Sequence, residues 1–284
     1  MLSPTGRRGA FDRPAPTSKF DCWVRAVVVR FVLCCLCWTC AGLPPVASAA
    51  EWVESRRVGQ FVVSSEVRLD RFKGLLQTIE DQRADVLATL ELEPTQSLIE
   101  IWIFASRRSY SDAVSRRAPE GVNRRACFAK GEDGVGHVFV SLNDAFEIDL
   151  RHEVTHAVLH SVLPFIPLWL DEGLAEYFEV PAADRASRNP HQARLKWSMR
   201  LLWKPNLEAL ERKSAVSEMA VNDYRESWSW VHFLLHGPAD FERVLPSYLQ
   251  EIESGAPPGP LSGHLRRVDA NSARRLVSHH KNWK

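Results

Sequence analysis

Cysteine is scarce in most of this 284-residue chain. Five of the six cysteines fall within residues 1–49, so Cys127 is the single cysteine of residues 50–284. One cysteine cannot form an internal disulfide, which excludes a disulfide-rich scaffold for this region. Its fold must rest on an ordinary apolar core, as one domain or two tightly joined lobes, and we expect Cys127 to be a buried apolar residue of that core.

The region after residue 49 also lacks a strong excess of charge. Residues 50–284 contain 30 Lys and Arg against 33 Asp and Glu, a difference of −3. Without a basic field, nucleic acid is not expected as a partner. The locally basic segment 263–284 predicts a solvated closing helix with a frayed tail rather than a membrane-binding patch. The sequence indicates no oligomeric state.

The apolar run nearest the N-terminus is short for a membrane-spanning helix. Residues 31–43 are uncharged, but a spanning helix needs roughly 20 residues. A basic segment precedes this run, and small residues at the spacing that a signal peptidase accepts follow it. We therefore predict that residues 1–49 are a signal peptide and that the protein is secreted or located in the periplasm or cell envelope. An uncleaved anchor at residues 26–50 stays open, and a membrane partner is expected only in that case.

Apolar spacing divides the rest of the chain into a strand-rich part and a helical part. The first part has predicted strands and helices, namely strands 61–63, 97–104, 127–129 and 137–142 and helices 70–92 and 109–115. The second part has predicted helices at 148–162, 167–180, 194–203, 224–236 and 241–252, and a surface loop is predicted at 181–190. This order predicts an α+β fold with a sheet-bearing lobe, residues 50–145, and a helical lobe, residues 146–284.

A possible metal-binding motif lies in the helix predicted at 148–162. His152, Glu153 and His156 form the pattern H-E-x-x-H, in which the two histidines are four residues apart. Residues at this spacing lie on the same face of a helix, so both imidazoles can contact one ion. Neutral imidazole is a good zinc ligand, and Glu153 would be within reach of a water on the metal as a general base.

A third ligand is needed, because a catalytic zinc ion usually has three protein ligands. The continuation that would place a glycine at position 159 and a histidine at position 162 is absent. Glu172 is the next candidate, since Pro164 and Pro167 favour a turn that returns a second helix beside the first. Glu176, one turn after Glu172, is predicted to accept the free N–H of a ligand histidine.

The sequence HEVTHAVLH followed by PLWLDEGLAEYFE resembles the gluzincin metallopeptidases, in particular the peptidase MA-like proteins, with W-L-x-E-G-x-A-x-Y after the zinc helix. It is more distantly similar to the gluzincin aminopeptidases. The likeness covers about residues 150–179. It implies a zincin-like fold, one Zn²⁺ ion held by His152, His156 and Glu172, and Glu153 as base and proton shuttle. No G-x-M-E-N-like segment occurs upstream, so exopeptidase specificity is not carried over.

The developing oxyanion of such a hydrolysis would need a second donor. Tyr224 is our candidate, because it lies at the start of a predicted helix and resembles the catalytic tyrosine of the aminopeptidases. The match is incomplete, since Y-R-E-S replaces their Y-x-K-G. His232 on the same helix is an alternative donor, and a purely structural role for Tyr224 also stays open.

Three other features have simpler interpretations. His160 lies a further turn along the motif helix, about 6 Å too far to join the same ion, and is interpreted as helix surface or core. The pair His279-His280 is interpreted as solvated, although it could bind metal loosely. The strand at 137–142 is either an edge strand able to pair with an extended substrate or an ordinary strand of the sheet.

The sequence thus predicts an exported zinc metallopeptidase that hydrolyses peptide or protein substrates with a zinc-activated water. Two alternatives stay open. The first is a non-catalytic binding or assembly protein that retains the zincin scaffold, and the second is a zinc hydrolase of another amide or an ester. The substrate preference and endo- or exopeptidase action are not predicted.

Overall fold

The computed structural model describes residues 52–201 and 203–283, which belong to one compact unit. The predicted signal peptide and the alternative anchor lie outside the described residues. Within the described part of the chain, no helix combines the length and apolar character needed to cross a membrane. The boundaries predicted after residues 49 and 145 stay predictions.

A five-stranded mixed sheet forms the first half of the described chain. Its strands are β1 (Glu54–Val58), β2 (Phe61–Ser65), β3 (Ile99–Phe104), β4 (Ala126–Lys130) and β5 (Gly136–Ser141). The spatial order is β1-β2-β3-β5-β4; β2, β3 and β5 are parallel, whereas β1 and β4 run antiparallel to their neighbours. The α+β class is therefore confirmed.

The position of β5 corrects one of the two interpretations of residues 137–142. β5 pairs with β3 on one side and with β4 on the other, so it is an inner strand and cannot add an extended substrate. The edge of the sheet on this side is β4, and Cys127 lies in it. Cys127 is buried, as expected, and burial raises the pKa of its thiol to about 11.

Alternating apolar residues bury both faces of the sheet, which is expected of parallel strands covered on both sides. Ile99, Ile101 and Ile103 of β3 point into the larger core, which also contains buried residues from most of the helices. Phe104 faces the opposite way and joins a smaller core with Tyr110. The sheet is therefore covered on both faces, by a larger core on one side and a smaller core on the other.

The helices account for most of the second half. They are α1 (Leu75–Leu90), α2 (Arg107–Arg117), α3 (Phe146–Val162), α4 (Leu168–Phe178), α5 (Ala182–Arg185), α6 (Pro190–Arg200), α7 (Leu207–Glu211), α8 (Val221–His236), α9 (Val244–Glu253), α10 (Leu261–Val268) and α11 (Ser272–Asn282). α1 crosses from β2 to β3, and α3 lies on the sheet against β4 and β5.

Two helix predictions need correction. The segment 181–190, predicted as a loop, contains α5, and α6 begins at Pro190 because the Asn189 side chain accepts a hydrogen bond from the backbone N–H of His191. The segment 263–284, predicted as one solvated helix with a frayed tail, contains most of α10 and all of α11. Leu265 and Leu276 anchor these two helices in the core.

Helices α4 and α8 approach each other closely at Gly173. A Cβ atom at Gly173 would lie 2.8 Å from the backbone oxygen of Ser227 and 3.0 Å from Cγ2 of Val231. Only glycine allows this separation, so the residue after Glu172 fixes how near α8 comes to the candidate ligand. α8 in turn begins with the turn that contains Tyr224.

Candidate metal centre

Helices α3 and α4 bring the three predicted ligands together. His152 and His156 lie one turn apart on α3, with ring centroids 4.9 Å apart. Glu172, in the first half of α4, directs Oε2 to both rings, at 3.6 Å from Nε2 of His152 and 3.8 Å from Nε2 of His156. All three side chains are largely buried, and their ligand atoms form one compact group.

The spacing of these atoms fits a tetrahedral zinc site. Zinc with bonds of roughly 2.1 Å separates neighbouring ligand atoms by about 3.4 Å, a few tenths of an ångström less than the separations here. Moreover, Oε2 of Glu172 is buried and has no hydrogen-bond partner among the described residues. A buried carboxylate oxygen without a partner is unfavourable unless an ion satisfies it. The donor set of two imidazoles and one carboxylate is one that zinc accepts.

Two further carboxylates contact the Nδ1 atoms of the two histidines. Nδ1 of His152 lies 3.0 Å from Oε2 of Glu179 in a hydrogen bond. Nδ1 of His156 lies 2.8 Å from Oδ1 of Asp171, close enough for an ion pair but not aligned for a hydrogen bond. These contacts place the proton on Nδ1 and leave both Nε2 atoms free for a metal.

The prediction for Glu176 was wrong. Its Oε2 accepts from Nε2 of His191, at 2.7 Å, and not from a motif histidine. The carboxylates that take this role, Asp171 and Glu179, were missed in the sequence. For Glu179 the signal was present, because a residue seven positions from Glu172 lies about 20° from it around a helix, whereas one four positions away lies about 40° from it.

His160 does not belong to the ligand group, as expected. Its Nε2 lies 3.0 Å from Oδ2 of Asp171, so Asp171 contacts both His160 and His156. Glu179, two turns after Asp171, instead contacts His152. α3 and α4 therefore run in opposite directions, and each carboxylate of α4 meets a different turn of α3.

The carboxylates make the centre attract positive charge. Burial disfavours the charged form of His152, but Glu172 and Glu179 outweigh burial and raise its pKa well above its ordinary value. For His156, burial is likewise outweighed by Asp171, and the pKa is raised. In Glu172, burial raises the pKa, yet His152 and His156 lower it overall. A divalent cation can supply the charge that these protons supply here.

A cleft of about 490 Å³ opens beside this centre. Its lining comes from the segment 123–126, which includes the start of β4, from α3, from α4 and from α8, and includes Glu153 and Tyr224. Arg124 and Arg125 give one wall a positive charge, and Arg125 donates to Asp149 at 2.7 Å. Glu153 is 5 % exposed and lines the cleft beside His152. Glu153 and Tyr224 therefore line the same cleft.

Of the two predicted oxyanion donors, only Tyr224 lies at the cleft. Burial, followed by the negative charge of Glu172, raises the pKa of Tyr224, so its hydroxyl keeps the proton that it would donate. His232 lies two turns further along α8 and is fully buried. Its Nε2 is 2.9 Å from the backbone oxygen of Ala186, away from the centre, so the alternative assignment to His232 was wrong.

No family model matches the chain, and no curated protein matches it. The resemblance to gluzincin metallopeptidases therefore stays a prediction.

Proposed function

We propose that this protein is a zinc-dependent metallopeptidase with a zincin-like fold. The observation that supports this proposal best is the convergence of Nε2 of His152, Nε2 of His156 and the unpartnered Oε2 of Glu172 at the edge of a cleft. A closed structural site would bury the metal on every side, whereas here Glu153 and Tyr224 share the opening with the ligands.

Different residues of the chain would have different roles in peptide hydrolysis. A zinc ion held by His152, His156 and Glu172 would supply Lewis acidity, which polarises a carbonyl and lowers the pKa of water. Glu153 would accept the proton of the attacking water and return it to the leaving amine. The neutral hydroxyl of Tyr224 would donate a hydrogen bond to the oxyanion. Glu179 and Asp171 would keep the two imidazoles oriented.

β4 offers a place for an extended substrate. It is the last strand on its side of the described sheet, and its first residue, Ala126, lines the cleft. An extended peptide added along β4 would present its backbone amides next to the candidate ligands, and recognition through the backbone tolerates many side chains. This placement favours a peptide over a small amide or ester as the substrate.

Substitution of Glu153 tests the proposal. We expect Glu153→Gln to reduce hydrolysis of a peptide library by at least about 10²-fold, because the base is lost, while the protein still binds one zinc ion at this centre. Glu147→Gln is the matched control, since Glu147 lies on the same helix and is exposed. His156→Ala should lose the zinc ion.

Each alternative function has its own result in this experiment. Zinc binding at the centre without hydrolysis of any peptide, amide or ester by the wild type would favour a non-catalytic binding or assembly protein. Turnover of amides or esters but not of peptides would favour a different zinc hydrolase. Turnover that survives Glu153→Gln would exclude the mechanism.

We also propose that the protein is exported, to the periplasm or cell envelope or as a secreted protein. The basic segment, the apolar run of residues 31–43 and the small residues after it support this location. The N-terminal residue of the protein recovered from its native host tests it, since cleavage would give a chain that begins near residue 50. A chain that keeps residues 1–49 in the membrane fraction would support the anchor instead.

A further inference from the structure

Helices α8 and α11 bring three histidines together away from the cleft. His232 lies in the second half of α8, and His279 and His280 lie near the end of α11. One nitrogen from each ring can be chosen so that all three lie within 4.8 Å of one another. His232 and His280 are almost fully buried, at 0 % and 1 % exposure, and His279 is partly buried. The interpretation of His279-His280 as a solvated pair was therefore wrong.

Backbone carbonyls fix the tautomers of the two buried rings. Nε2 of His232 lies 2.9 Å from the oxygen of Ala186, and Nε2 of His280 lies 3.0 Å from the oxygen of Ser229. A carbonyl oxygen only accepts, so the proton of each ring is on Nε2. Each Nδ1 atom therefore carries a lone pair. A backbone carbonyl on the far nitrogen is the arrangement that usually orients a metal-binding histidine.

The Nδ1 lone pair of His280 accepts no hydrogen bond within the described part of the chain. Its Nδ1 is buried and has no hydrogen-bond partner there. Most buried polar atoms in proteins do have a partner, so this atom requires an explanation. The rings packed against that of His280 include those of His232, His279 and Trp228.

His279 completes the group. Its Nε2 lies 3.0 Å from Nδ1 of His232, and because Nδ1 of His232 carries a lone pair, Nε2 of His279 is the donor in this contact. A cation that binds here would take the place of that single proton. Burial, followed by the charge of neighbouring histidines, lowers the pKa of His279 to about 4, and burial likewise lowers the pKa of His280 to about 4. The rings are thus neutral at pH 7, as metal ligands must be.

We propose that His232, His279 and His280 form a second metal site, for Zn²⁺, which fastens α11 to α8. Three imidazole nitrogens are a known zinc donor set. The site is separate from the candidate catalytic centre, since His232 lies eight residues, about 12 Å along the helix, from Tyr224. Its role is structural: α8 packs on α4, which carries Glu172, so α11 stabilises the support of the first centre.

Counting the metal ions bound by the full-length protein tests this proposal independently of the proposed function. We expect wild type to retain two zinc ions per chain after dialysis against metal-free buffer. His152→Ala/His156→Ala should retain one, and adding His279→Gln to that variant should remove it and weaken zinc binding by at least 100-fold. His264→Gln is the matched control, since His264 lies on α10 with its Nε2 at the backbone oxygen of Pro258. It should leave both ions in place.

Co²⁺ provides a second measurement on the same proteins. In His152→Ala/His156→Ala, Co²⁺ should give the intense visible absorption of a tetrahedral site, and His279→Gln should abolish it. A folded His152→Ala/His156→Ala protein that binds neither zinc nor Co²⁺ would overturn the proposal, and so would binding that survives His279→Gln. If His152→Ala/His156→Ala does not fold, the comparison is between wild type and His279→Gln: loss of one of two ions supports the second site, and an unchanged count refutes it.

Discussion

Acidification should destabilise this protein through His280. The ring is buried, and burial lowers its pKa from 6.5 to about 4, although the carbonyl of Ser229 opposes this change. Between these two values the unfolded chain binds a proton that the folded chain does not. The free energy of unfolding therefore falls as the pH falls from 6.5 towards 4, and it is unaffected by His280 above pH 7.

The size of this effect follows from the two pKa values. At pH 5 the unfolded state gains about 2 kcal/mol from protonation of His280, and the folded state gains almost nothing. Other groups titrate in the same range, among them His152 and His156, whose raised pKa values act in the opposite direction. A difference between wild type and His280→Gln isolates the contribution of one ring.

Urea denaturation at several pH values, with EDTA present to remove metal, measures the effect. Between pH 7 and pH 5, wild type should lose about 2 kcal/mol more of its free energy of unfolding than His280→Gln does. Between pH 7 and pH 8 the two curves should be parallel, which provides an internal control. Parallel curves over the whole range would refute the assignment of a neutral, buried His280.

Three further substitutions test the candidate metal centre and its support. Glu179→Gln should weaken zinc binding about 10–100-fold in a chelator competition, since it removes the anionic partner of His152. Tyr224→Phe should lower kcat about 10²-fold with an unchanged zinc content, because only the oxyanion donor is lost. Gly173→Ala should lower the free energy of unfolding by about 1–3 kcal/mol in urea titrations, because the new methyl group meets the backbone of Ser227.

These three predictions can fail in different ways. Gly263→Ala is the control for Gly173→Ala, because nothing lies within 4 Å of the added carbon on α10 and alanine favours a helix. Equal effects of the two substitutions would contradict the close approach of α4 and α8. An unchanged zinc affinity in Glu179→Gln would mean that His152 is oriented by other contacts. Full activity of Tyr224→Phe would leave Tyr224 with a packing role.

The elements that carry the candidate metal ligands could be predicted from the sequence to within about two residues. α3 was predicted at 148–162 and lies at Phe146–Val162, and α4 was predicted at 167–180 and lies at Leu168–Phe178. Both helices have strong apolar spacing, and Pro164 and Pro167 mark the turn between them. Local patterns of this kind determine where helices begin and end, because the propensities act within a few residues.

The order of strands and the burial of the histidine pair could not be predicted in this way. β4 and β5 are both short and largely apolar, and no local sequence signal shows which of them has a neighbour on both sides. His280 follows basic residues in a segment that looks solvated, yet it is buried because α11 packs against α8, 40 or more positions earlier in the chain. Both features depend on contacts between distant segments, which single-sequence periodicity does not contain.

Gln82 limits how the candidate metal centre could be transferred to another protein. From α1, its Nε2 donates to the backbone oxygen of Arg151 at 2.7 Å and to Oγ1 of Thr155 at 2.9 Å, on the helix that carries the two histidines. A fragment that contained only α3 and α4 would lose this donor. A designer who grafts the centre onto a new scaffold must therefore include an equivalent amide behind the helix, or choose an apolar residue in place of Thr155.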